Sequence, residues 1–139
     1  MNYDSDILEW SEQQAALLRR VAAGERVNDV DWDNIIEEVT SVGREQLHAV
    51  ESLLIQAMIH DLKTRCWPLS REVPHWRAEA RRFRDGAARR FTPSMLQRLD
   101  ISSLYRSAHR ALPETIDGLP PHPVPAACPF TLDALLSED

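Results

Sequence analysis

Between Asp31 and the Trp67-Pro68 pair the chain repeats its apolar residues at helical spacing and nowhere alternates them as a strand would. Ile35, Ile36, Val39 and Val42 make one stripe up to Gly43. Beyond it Leu47, Val50, Leu54, Ala57, Met58 and Leu62 resume the pattern. Read as one element, this is the longest helix of the chain and the natural spine of an all-α fold. Glycine inside a helix costs about 1 kcal/mol relative to alanine, and the stripe shifts by roughly 60° across Gly43, so a bend is expected there.

The flanking segments supply partners for that spine. A first helix is read from about Ile7 to Ala23, with Asp4, Ser5 or Asp6 to cap it and Gly24 to stop it; Ile7, Trp10, Leu17, Leu18 and Val21 form its core-facing stripe. Asp31 is the expected cap of the long helix. Pro68 to Pro74 reads as a loop, followed by a third helix from about His75 to Arg90 with Trp76, Ala80, Phe83 and Ala87 along a narrow seam. Thr92-Pro93 opens a fourth helical stretch through Leu112, broken near Asp100, and Thr131 caps a last short helix through Leu136. The expectation is one domain over residues 1–139: a compact helical bundle of four to six helices, globular over about 5–115, with a proline-rich strap and short last helix over 118–139. Trp10, Trp32, Trp76 and Phe83 are expected to be buried.

Charge is segregated along the chain. Residues 1–62 hold 13 acids against 4 bases, residues 63–110 hold 12 bases against 4 acids, and residues 111–139 hold 5 acids and no base. Arginine favours planar pairing with carboxylates or phosphates, so the basic middle answers either its own acidic flanks or a foreign anion. With a net charge of −6, internal pairing of Arg77, Arg81 and Arg84 with acids of the first two helices is the expected outcome, and nucleic acid is an unlikely partner. Two cysteines, Cys66 and Cys128, make neither a disulfide framework nor a four-thiolate metal site. The N-terminus carries acid where a signal peptide carries base, and no apolar run approaches the roughly 18 residues of a membrane span. A reducing, cytoplasmic setting without a membrane follows as the expectation.

Several residues stand in a familiar order: Tyr3-Asp4-x-Asp6 with Trp10, Asp31-Trp32 with Asn34, Glu37-Glu38-x-x-Ser41-x-Gly43-Arg44, His60-x-Leu62-Lys63, Trp76-Arg77 and Cys128-Pro129-Phe130-Thr131-Leu132. In this the chain resembles the bacterial family called domain of unknown function 29. The resemblance implies a small helical bacterial protein and carries no activity, substrate or cofactor with it. Asp61, where the family pattern is apolar, and Cys66-Trp67 after the lysine depart from that pattern.

The residues that could carry chemistry are few. Glu45-x-x-His48 has the spacing of a carboxylate–imidazole metal pair, but with Leu54 at the centre of the stripe His48 falls about 120° away and Glu45 about 180° away, so both should face solvent. His60 flanks the stripe and Asp61 lies within about 20° of its centre. A carboxylate there needs a donor, and an arginine of the third helix is the natural one. Glu38 and His60 could share a site only if the chain reverses at Gly43, since a continuous helix separates them by about 33 Å. Catalytic candidates are therefore Glu38, His60 and Asp61; binding candidates are Trp76, Arg77, Arg81 and Arg84; a metal is not expected, with Glu45 and His48 the weak candidates. No nucleophile elbow, glycine-rich phosphate loop or zinc helix occurs, and neither cysteine has a histidine at a telling spacing. No cofactor is implied. A binding module working through protein–protein association, with itself or another chain, is the leading reading. A carboxylate–histidine enzyme is the alternative, and nucleic-acid binding through the arginine-rich third helix the weaker one.

Overall fold

A computed structural model describes residues 2–137, which form five α-helices: α1 (Ile7–Ala22), α2 (Trp32–Cys66), α3 (Val73–Arg90), α4 (Ile101–Arg110) and α5 (Leu132–Leu136). Only a single isolated bridge, Ile116 to Leu119, interrupts the all-helical character among the described residues. Local chemistry sets most ends. Asp6 accepts from the Glu9 N–H at the start of α1, Asp100 from Ser103 at the start of α4, and Thr131 from Ala134 at the start of α5. Gly24, at φ +92°, turns the chain out of α1. Two expectations change. Pro74 sits in the first turn of α3 rather than in the preceding loop, where its missing N–H costs nothing. α2 also runs through Gly43 without a break in its helical turns, so Gly43 does not end the helix.

Contacts divide the chain into two compact units, Met1–Arg44 and Glu45–Asp139. In the second, Val50, Leu54, Met58, Ile59 and Leu62 of α2 bury against Ala87 of α3, Leu104, Tyr105 and Ala108 of α4, and Leu135 of α5. Each fully buried leucine contributes about 1.5–3 kcal/mol. The segment read as a strap is part of this packing: Val124, Cys128 and Phe130 lie against the same cluster, and the Tyr105 hydroxyl donates to the Pro125 carbonyl. A second cluster joins Cys66, Trp67, Val73 and Trp76. The first unit is smaller. Among its described residues, Trp10 and Gln14 are the buried ones.

Candidate functional site

In the first unit a polar network fixes α1 against the beginning of α2. The Trp10 indole N–H donates to Asp31 Oδ2 at 2.9 Å, the Asn34 amide donates to the same oxygen at 2.8 Å, and the Asp31 N–H donates to Gln14 Oε1 at 2.8 Å. The Tyr3 hydroxyl donates to Glu38, and the Tyr3 ring meets Trp10 edge-on at 4.8 Å. Donation from Asn34, then Trp10, holds the Asp31 carboxyl below its ordinary range. The bond to Glu38 pushes the Tyr3 hydroxyl up to about 12.

With Asn34 and Glu38 committed to this network, Trp32, Ile36, Val39 and Val42 fall within a wedge of about 120° on another side of α2. They are 50, 60, 70 and 62% exposed. Trp32 was expected in the core and is not. Ile7 and Leu8 of α1 are also exposed. Contiguous apolar surface of this kind marks interaction sites more often than scattered single residues do. Around it the unit carries ten acids against four bases.

In the second unit Asp61 finds the arginine that its place on the apolar stripe demanded: Arg84 Nη1 donates to Asp61 Oδ2 at 3.0 Å. The expectation of internal pairing stops there. Arg77 and Arg81 are exposed and have no ion-pair partner among the described residues, while Arg82 pairs within its own helix with Glu79. Arg77 shares the Arg84 face to within about 20° but lies about 10 Å nearer the start of the helix, out of reach of Asp61. Trp76 is buried, with the Lys63 ammonium 6.0 Å from its ring, so it packs rather than presents a binding surface.

Each catalytic candidate has a partner within its own unit. Glu38 is engaged by Tyr3 in the first unit. In the second, His60 Nδ1 donates to the Gln56 carbonyl at 2.7 Å and its ring leans on Phe83 at 5.4 Å. Asp61 is taken by Arg84. No reversal interrupts α2 at Gly43, the condition on which a shared Glu38–His60 site depended. Glu45 and His48 are exposed, as their angles predict. Among the described residues no group of three or more His, Cys, Asp or Glu side chains is placed to hold a metal ion. Burial pushes the Cys66 thiol up, away from the thiolate a nucleophile needs.

A family model described as domain of unknown function DUF29 matches residues 2–139. The chain belongs to the DUF29 family. An α-helical protein of unknown function from Rhodospirillum rubrum, solved by crystallography, is similar at 29% identity and a TM-score of 0.70, over 100% of this chain and 91% of the other. Comparison with curated proteins gives no match. Five of the residues behind the family resemblance, Tyr3, Trp10, Asp31, Asn34 and Glu38, are those joined in the network of the first unit. In this DUF29 chain their visible work is to fix the helix that carries the exposed apolar stripe. No described helix is long and apolar enough to cross a membrane.

A feature outside the sequence reading lies at the end of α2. A cleft of about 460 Å³ opens there, between the loop after Cys66 and a tight turn at Ile116–Leu119. Asp117 and Gly118, at φ +54° and +77°, occupy the two positive-φ positions of that turn. An Asp-Gly pair is a strong signal for such a turn.

Proposed function

We propose that this chain is a bacterial protein-binding module, which docks a helix of another protein against the exposed apolar face of its first unit. The observation that carries this is the stripe Trp32, Ile36, Val39 and Val42, 50 to 70% exposed on a helix held by the Tyr3–Glu38 and Trp10–Asp31 bonds. Spacing of i, i+4, i+7 and i+10 suits a helical partner with apolar anchors at the same intervals. Ten acids against four bases select basic flanks on that partner. The same charge opposes pairing of this face with its counterpart on a second copy. Two cysteines without a disulfide fit a reducing compartment such as the cytoplasm.

A designed amphipathic peptide with leucines at helical spacing and lysines on both flanks tests the reading by fluorescence anisotropy. It is expected to bind, to weaken at least about tenfold with the pair Ile36→Asp and Val39→Asp, and to weaken as salt rises. Equal binding by that double variant overturns the reading, as does equal binding of a peptide with glutamate flanks. The unpaired Arg77 and Arg81 favour one other reading, contact with nucleic acid through α3. A steep salt dependence of oligonucleotide binding, shallower in Arg77→Glu, is its signature.

A further inference from the structure

The cleft at the end of α2 has a composition that its place in the fold does not require. Its two walls are tied together by the chain itself: the Trp67 indole N–H donates to the Leu119 carbonyl at 2.9 Å, and the His122 N–H donates to the Cys66 carbonyl at 2.8 Å. The Ile116–Leu119 turn is closed by reciprocal N–H···O bonds of 3.0 Å. The cleft is thus formed by bonded backbone, and its volume of about 460 Å³ falls among ordinary small-molecule sites. Trp67 is buried in its lining, whereas Leu69 is 91% and Leu119 59% exposed. Leaving two leucines in water at the mouth of one cleft costs apolar burial that an occupant would recover.

The charges are the second observation. Arg71 and Asp117 line the same cleft, both are exposed, and neither has an ion-pair partner among the described residues, so they form no ion pair with each other. A purely anionic ligand meets the Asp117 carboxylate, and a purely cationic one meets the Arg71 guanidinium. An uncharged apolar ligand strips water from both. A small molecule with a carboxylate, an ammonium and an apolar body satisfies all three features.

We infer that this cleft binds a small apolar zwitterion, an amino acid with an aliphatic or aromatic side chain, with its carboxylate toward Arg71, its ammonium toward Asp117 and its side chain against Trp67, Leu69 and Leu119. Binding needs no covalent step. The site lies wholly in the second unit, so its failure leaves the docking proposal for the first unit untouched.

Calorimetric titration of the full chain with L-phenylalanine is the test, alongside L-phenylalanine amide, which lacks the carboxylate, and N-acetyl-L-phenylalanine, which lacks the ammonium. Saturable binding of L-phenylalanine is expected, with each analogue weaker by about tenfold. Arg71→Gln should weaken L-phenylalanine about tenfold and leave the amide within about twofold. Asp117→Asn, which keeps a residue tolerant of positive φ, should weaken L-phenylalanine and leave the N-acetyl compound unchanged. Leu69→Ser, at an exposed position where folding is not at stake, should weaken all three. Absence of saturable heat overturns the inference. So does a loss in either charge variant that is the same for the matching analogue as for L-phenylalanine.

Discussion

Removing the guanidinium of Arg84 should cost about 2 kcal/mol of stability, whereas the same change at Arg77 or Arg81 should cost almost nothing. Arg84→Met keeps the apolar stem and leaves the Asp61 carboxylate without its donor. At 3.0 Å and an effective dielectric near 20, the Coulomb attraction is about 5–6 kcal/mol before desolvation. Most of that is cancelled, because both groups surrendered hydration to meet between α2 and α3. Side-chain exposures of 19 and 25% place the pair between two regimes: breaking a fully buried pair costs about 3–5 kcal/mol, and an exposed pair is worth about 0–1. The expected 2 kcal/mol corresponds to about 6–8 °C in Tm for a chain of this size. Urea denaturation of Arg84→Met, Asp61→Ala and the double variant should give a coupling energy of about 1–2 kcal/mol. Arg84→Met within about 0.5 kcal/mol of the parent would refute this assignment of Asp61, and so would an equal loss in Arg81→Met.

Three further outcomes are expected. Gly43→Ala should stabilise by about 0.5–1 kcal/mol in thermal melts, since Gly43 is helical, has no positive φ and nothing lies within 4 Å of an added Cβ; a destabilised variant would show that the backbone there needs glycine. Trp76→Ala, which empties a position only 6% exposed beside Cys66 and Val73, should lose about 3–5 kcal/mol, and a loss below about 1 kcal/mol in urea titration would contradict its packing role. Because the Asp31 carboxyl is held below its unfolded value by Asn34 and Trp10, the unfolded state binds the extra proton. The stabilisation is therefore complete above about pH 4 and lost as pH falls through the folded value. Acid denaturation followed by urea midpoints at each pH should show this loss in the parent and a flatter profile in Asp31→Asn.

Helix identity and most helix ends were legible in the sequence because their causes are local. Asp6, Asp100 and Thr131 cap the turns they precede, and Leu54 and Leu62 mark the face that is buried. Periodicity names the apolar face of a helix but not what covers it, so Ile36 and Val39 read as core like Leu54 although no described element lies over them. Segregated charge likewise gave the sign of each segment but not which side chains come within reach: Arg84 stands opposite Asp61 and Arg77 does not. Of the candidate site, Asp61 and its arginine were foreseeable from angle alone. The cleft at Trp67 was not, since its two walls are about 50 residues apart in sequence, though Asp117-Gly118 between Ile116 and Leu119 was a readable turn signal.

Placing Leu135 in the same cluster as Val50 and Leu54 has a consequence for the chain during its synthesis. A ribosome releases the apolar face of α2 long before α5, so the residues that close the second unit arrive after those they must cover. Until then, that face is open to misassociation and to chaperones. The first unit has no such wait, since Tyr3, Trp10, Asp31, Asn34 and Glu38 have all emerged by the time the early turns of α2 are made. The nascent chain thus carries every member of that network before α2 is complete.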